Sequence, residues 1–239
     1  MKKDSSFSIL FQNDAVVAVD KPGGYLSVPS RMGAQDPRPC LGRELEKSLG
    51  LRLWPIHRLD EEVTGVILFA LTPGAHKDLS MAFENRAIGK RYEALTDLGS
   101  QPWEEEEVRQ EVLWECLMLR GKKRAYQSPH GKPASTRAKL LANVTLSDGP
   151  ALRWTLSPLT GRGHQLRFEL FRHGFPIIGD TLYGSKRDFG RDLIALRCMT
   201  LSFIELSSLA AKLGLPEEIA APPWLIEEQS TFAHQTLQP

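Results

Sequence analysis

The longest apolar run in the chain is six residues, Val66 to Leu71. A membrane-spanning helix needs about 20 such residues, so the run is no membrane span. Short, apolar and partly β-branched, it reads as a buried strand. Its far end is marked by Thr72-Pro73, an N-cap followed by a proline at the first helical position. Ala75, Leu79, Ala82 and Phe83 then fall on one face of the helix predicted to follow. Before the strand stands the polar segment His57-Arg58-Leu59-Asp60-Glu61-Glu62. Loops held by a rigid core are common homes for catalytic groups.

Other elements can be placed around this centre. Val16 to Val19 reads as a second buried strand, ending at the turn Lys21-Pro22-Gly23-Gly24. Residues 29–39 hold three prolines and predict a surface loop. Leu41, Leu45 and Leu49 share a helical face, and Gly50 can cap that helix. Residues 90–96, 151–157 and 194–206 look like further strands, and the chain from Pro216 onward looks like a peripheral tail. No fixed-period repeat is present, which excludes solenoids. Strands and helices do not follow a βαβ rhythm, so we expect an α+β or mixed-sheet fold. A length of 239 residues suits one domain. Cys40, Cys116 and Cys198 lie far apart, which argues against a disulfide framework or thiolate zinc site. They are expected to be small buried apolar residues. The start of the chain has no apolar stretch suited to a signal peptide, so a cytoplasmic protein is expected.

The net charge is +1, from 30 basic and 29 acidic residues. Its distribution is polarised. Glu104 to Glu107, Glu111 and Glu115 are followed by Arg120, Lys122, Lys123, Arg124, Lys132, Arg137 and Lys139 with no acidic residue among these seven. A solvated hairpin and a phosphate-contacting strip are both consistent with that pattern.

Several motifs are incomplete. Gly161-Arg162-Gly163-His164-Gln165-Leu166 begins like a dinucleotide loop but lacks the third glycine. There is no nucleophile elbow or Walker loop. Asp188-Phe189-Gly190 and His57-Arg58-Leu59-Asp60 only imitate kinase motifs, since Leu59 separates the Arg from the Asp. The six histidines do not cluster at ligand spacing, so no metal site is expected. The donor-rich Thr160 to Arg167 opens a predicted helix with Leu166 and Leu170 on one face, and its turn can hold an anion. Taken alone, an Asp beside arginines is more often a structural ion pair than a nucleophile.

Together these segments resemble the RluA-type RNA pseudouridine synthases. The resemblance is carried by HRLDEEVTGVILFA at 57–70, Asp20-Lys21-Pro22-Gly23-Gly24, Gly89-Lys90-Arg91-Tyr92-Glu93-Ala94-Leu95, and TGRGHQLR at 160–167. Gly179-Asp180-Thr181-Leu182-Tyr183-Gly184 and Ala195-Leu196-Arg197-Cys198 continue it, so it covers about 16–206. Val63-Thr64-Gly65 stands where the family has Thr-Ser-Gly, and Arg197 replaces a usual His.

The resemblance implies an α+β pseudouridine synthase catalytic fold with a mixed, mostly antiparallel sheet flanked by helices and loops. It implies one catalytic domain over 1–239, without a separate N-terminal RNA-binding domain. The implied activity converts specific uridines in structured RNA, ribosomal or transfer, to pseudouridine without metal or organic cofactor. Asp60 is then the catalytic carboxylate, and Arg167 supplies its opposing charge. Tyr92 stacks on the uracil, and Arg58 holds the flipped-out state. Arg58, Tyr92 and Arg167 are thus the implied substrate-binding residues. Lys21 either faces RNA or caps its turn. The implied partner is an RNA stem-loop, with no membrane, and the protein is expected to be a monomer. A non-catalytic RNA-binding or folding factor on the same scaffold and an enzyme acting on free nucleosides are the alternatives.

Overall fold

The computed structural model describes residues 7–99 and 110–224. Among these, eleven strands form a single sheet. They are β1 (Ser8–Gln12), β2 (Val16–Lys21), β3 (Trp54–Pro55), β4 (Thr64–Ala70), β5 (Gly89–Thr96), β6 (Val112–Arg120), β7 (Ala125–Gln127), β8 (Lys132–Leu146), β9 (Gly149–Pro158), β10 (Leu196–Ser202) and β11 (Glu218–Ala220). The α-helices among the described residues are α1 (Leu41–Leu49), α2 (Pro73–Glu84), α3 (Gln165–Arg172) and α4 (Ser207–Leu213). The strand order is β1-β2-β4-β10-β5-β9-β8-β6-β7, with β3 added to β4 and β11 to β10. Every pairing is antiparallel except β4 with β10. This is the mixed, mostly antiparallel α+β arrangement expected.

Apolar runs take the central positions, as their composition dictates. Val66, Ile67 and Leu68 of β4 are fully buried, and β2 packs Val16 to Val19 beside them with Val19 opposite Ile67. Each fully buried side chain of this size contributes roughly 1.5–3 kcal/mol. Helix α1 buries Leu41 and Leu45 and ends at Gly50, whose left-handed backbone (φ 67°) sends its N–H to the Glu46 carbonyl. In α2, Thr72 Oγ1 accepts from the Ala75 N–H at 3.1 Å, while Ala75, Leu79 and Ala82 are buried. Phe83 is half-buried and stacks on His57 at 4.7 Å.

Two readings need correction. The predicted strand 194–206 is shorter: β10 stops at Ser202, and α4 begins at Ser207. The segment after Pro216 is no bare tail, because Glu218–Ala220 pairs with Thr200–Ser202 as β11. Three residues are too few to reveal a period, so β11 becomes a strand only through its partner. Cys40 and Cys198 are buried as expected, whereas Cys116 is half-buried. The acidic run Glu104 to Glu107 lies outside the described residues.

The β4–β10 contact positions the site. It covers only Thr64 and Gly65 against Arg197 and Cys198. A Cβ on Gly65 would stand 2.1 Å from the Cys198 carbonyl oxygen, and its φ of 104° disfavours other residues. Loop 56–63 therefore enters the middle of the sheet, beside β10 and β5.

Candidate active site

Loop 56–63 is held from several directions. Lys21, fully buried, donates from Nζ to the carbonyls of Pro22 (3.0 Å), Glu61 (2.9 Å) and Val63 (2.8 Å). It ties its turn to the loop and does not face RNA. Burial pulls its pKa from the ordinary lysine value down to about 8, against the opposing carboxylates of Glu62, Asp60 and Glu61. Ser27 Oγ donates to the Leu59 carbonyl (2.7 Å) and accepts the Leu59 N–H (3.0 Å). The Gly24 N–H reaches the Glu61 carbonyl, and Arg38 bridges Asp36 to the Glu61 carboxylate. His57 Nε2 accepts the Leu68 N–H at 3.0 Å, which uses the lone pair a metal would need. Burial, then Lys90, depresses its pKa to about 3, so it is a neutral structural histidine.

Asp60 projects from this loop towards Arg167. On sequence grounds an exposed helix arginine is the ordinary expectation, yet the Arg167 side chain is only 2% exposed. Its Nε and Nη2 bind both oxygens of Asp180, at 2.6 and 2.8 Å, and Asp180 is itself buried. The remaining nitrogen, Nη1, lies 3.2 Å from Glu62 Oε2 and 3.5 Å from Asp60 Oδ2. Planar, bidentate pairing of this kind suits Arg and not Lys. One guanidinium is thus anchored through two nitrogens and offers the third to two carboxylates.

Asp60 lies in a cleft of about 920 Å³, within the range of small-molecule sites. Lys90 and Tyr92 of β5, at i and i+2, share one strand face and line it with Leu196 of β10. Burial, then the neighbouring Cys198, raises the Tyr92 phenol well above its ordinary pKa. Tyr92 is therefore a neutral phenol near pH 7, able to stack and hydrogen-bond. Arg58 is exposed and lines the same cleft. Asp60, Arg58, Tyr92 and Arg167 thus meet at one place, although 107 residues separate Asp60 from Arg167.

The cleft is also lined by the turn before α3. Gln165 braces it from within: Oε1 accepts from Thr160 Oγ1 and the Arg162 N–H, while Nε2 donates to the Ser135 carbonyl and Thr136 Oγ1. Two of the donors expected to hold an anion, Thr160 Oγ1 and the Arg162 N–H, are spent inside the turn. His164 ends it with a left-handed backbone (φ 60°), a conformation in which His is enriched. Its Nδ1 is 3.2 Å from Tyr183 Oη; its Nε2 is 3.0 Å from Arg120 Nη2 and 3.8 Å from Asp60 Oδ2. Burial, then Arg167 and Arg120, lowers its pKa to about 4, so at neutral pH its approach to Asp60 is no ion pair.

Sequence reasoning misses Glu62, Lys90, His164 and Asp180 as site residues. Glu62 and Lys90 have a signal in their i, i+2 spacing from Asp60 and Tyr92. Asp180 has one in Gly179 before it: φ is 87°, and a Cβ there would stand 2.6 Å from the Leu193 carbonyl oxygen.

A carboxylate set beside a buried guanidinium in a cleft, with a tyrosine on the wall, is an arrangement suited to an enzyme site. Residues 15–172 match the family model for RNA pseudouridylate synthase. The chain is 33% identical over 177 residues to the dual-specificity RNA pseudouridine synthase RluA of Escherichia coli, covering 74% of this chain and 77% of that protein. To the protein of the same name from Pasteurella multocida it is 34% identical over 180 residues, covering 75% and 78%. In fold it resembles human RNA pseudouridylate synthase domain containing 1, with a TM-score of 0.70 and 22% identity over 94% of this chain and 88% of that one. The chain belongs to the RNA pseudouridine synthase family. It is an isomerase that converts uridine to pseudouridine in RNA.

Proposed function

We propose that Asp60 is the catalytic carboxylate and that Arg58, Tyr92 and Arg167 prepare the nucleotide and the carboxylate for reaction. The observation that carries this reading is the approach of the buried Arg167 to Asp60, 3.5 Å, in a cleft walled by Tyr92. The reaction breaks the bond from ribose to uracil N1, turns the base, joins it through C5 and releases the C5 proton. An ionised Asp60 acts on the sugar or the base while the bond is broken. Arg167 supplies the opposing charge and aims that carboxylate. Tyr92 offers an aromatic face to the uracil. Its neutral phenol donates or relays a hydrogen bond, and the high pKa makes a phenolate base unavailable at neutral pH. The target must leave its stack, at a cost of a few kcal/mol. The exposed Arg58 guanidinium at the cleft suits the vacated space.

The substrate is a stem-loop of ribosomal or transfer RNA, met by the protein as a cytoplasmic monomer. Relatives named dual-specificity RNA pseudouridine synthases support an RNA substrate. Exposed Lys122, Lys123 and Arg124 between β6 and β7 supply a phosphate-contacting strip next to Arg120, whose guanidinium meets His164 at the cleft. A pseudouridine map of ribosomal and transfer RNA, comparing cells with the wild-type protein and cells with Asp60→Ala, tests the reading. Loss of one or a few sites is expected. An unchanged map with the variant expressed would overturn it.

A further inference from the structure

His164 has two neighbours that ask for opposite protonation of the same ring. Arg120 lies 3.0 Å from Nε2 and has only hydrogens to donate, so contact requires Nε2 to be bare. Asp60 Oδ2 lies 3.8 Å from the same nitrogen and has only lone pairs to offer. A bare Nε2 presents its lone pair to that carboxylate; a protonated Nε2 would bind it. One nitrogen cannot serve both. Behind the ring, Tyr183 makes either state possible. Its buried hydroxyl accepts the Ala125 N–H at 2.7 Å and stands 3.2 Å from His164 Nδ1. It can accept from Nδ1–H or turn to donate to a bare Nδ1.

The two competitors belong to different parts of the molecule. Arg120 is exposed and opens the basic turn between β6 and β7, and Ala125 closes it. Asp60 belongs to the braced loop. His164 is the point where the charged turn meets the carboxylate.

We propose that His164 is a positioning residue for Asp60 whose tautomer is set by RNA: a phosphate oxygen that takes Arg120 from the ring frees Nε2–H to donate to the Asp60 carboxylate. The ring carries one proton throughout. Nδ1 gives its proton to water, Nε2 takes one from water, and the Tyr183 hydroxyl turns from acceptor to donor. Docking of the RNA backbone thereby completes the hydrogen bonding of the carboxylate only when substrate is present. The proposal rests on the reading of Asp60 as catalytic and of the basic turn as an RNA contact.

Two measurements test it. Side-chain nitrogen NMR of the free protein is expected to show His164 with bare Nε2 in the wild type and protonated Nε2 in Arg120→Ala. The same tautomer in both would overturn the proposal. The second is single-turnover tritium release from [5-³H]uridine-labelled bulk RNA, prepared from cells lacking the protein, at saturating protein. His164→Gln places an amide N–H where Nε2–H would act. His164→Asn fits the left-handed backbone better but is too short to reach Asp60. We expect His164→Asn to slow release about tenfold, as loss of a hydrogen bond to a charged group implies, and His164→Gln to slow it about threefold or less. If His164 merely shapes the turn, the order reverses, and that result would overturn the proposal. Asp60→Ala in the same assay separates the two readings: retained release removes the catalytic assignment, whereas lost release with a reversed Asn–Gln order removes only the role of His164.

Discussion

Loop 56–63 brings charge into the cleft, the turn between β6 and β7 carries charge beside it, next to the Arg120–His164 contact, and they are held by opposite means. The loop is fixed by a buried ammonium, a buried serine and a buried guanidinium, and its main chain accepts or donates at Leu59, Glu61 and Val63. In the turn, Lys122, Lys123 and Arg124 are exposed, and no carboxylate pairs with them among the described residues. Bond rearrangement requires reacting groups placed to a fraction of an ångström, which favours a braced carboxylate. Phosphate attraction falls off slowly with distance and tolerates side-chain motion, so it needs no bracing. The contrast also separates two kinds of arginine. Arg167 is committed to Asp180 on one side, while Arg58 is left exposed at the cleft.

The strongest way to break this contrast is Asp60→Ala. Modification should fall below detection while the fold survives, because Asp180 and Glu62 still pair Arg167. Turnover by the folded variant would remove Asp60 from the chemistry. Next in size is Asp180→Asn. It leaves a buried guanidinium without its main counter-charge and should destabilise the protein by about 3–5 kcal/mol, read by urea denaturation. A loss below about 1 kcal/mol, the scale of an exposed pair, would mean that Arg167 is not held as described.

Lys21 gives a pH test with two opposite signs. Its folded pKa, about 8, lies below the ordinary value, so the unfolded chain binds the proton more tightly. Stability should therefore rise from about pH 8 up to the ordinary lysine pKa as the burial cost is relieved, by on the order of 3 kcal/mol. Activity should fall over the start of that window, because a neutral amine has one hydrogen fewer for its three carbonyls. Lys21→Met should flatten the stability profile; an unchanged profile would place the titration elsewhere.

Tyr92→Phe should keep more activity than Tyr92→Leu if stacking dominates, by roughly the 1–3 kcal/mol that base–aromatic stacking contributes. Equal losses would assign the work to the hydroxyl. The smallest expected effect belongs to the exposed turn. Reversing Lys122, Lys123 and Arg124 should weaken RNA binding and reduce its salt slope by about 0.7–0.9 for each phosphate no longer neutralised, leaving the denaturation midpoint nearly unchanged. An unchanged slope would make the turn a solvated hairpin.

What local sequence determined is the set of elements whose cause is itself local. Spacing of Leu41, Leu45 and Leu49 with Gly50 defines α1; Thr72-Pro73 defines the start of α2; the apolar runs at 16–19 and 66–71 define β2 and β4. The family resemblance also pointed to Asp60, Tyr92 and Arg167, which the fold brings to one cleft. What only the tertiary structure decided is which charges are buried together. A helix-face pattern does not show that Arg167 is buried, because its burial is offset by Asp180, 13 residues away and on another element. The same holds for Lys21, whose acceptors at Glu61 and Val63 lie 40 and 42 residues on, and for β11, too short to be a strand without β10 beside it. Propensity and periodicity record what a segment does with its own neighbours. The partner of a buried charge is selected by the fold as a whole, because desolvation is offset only where two distant segments meet.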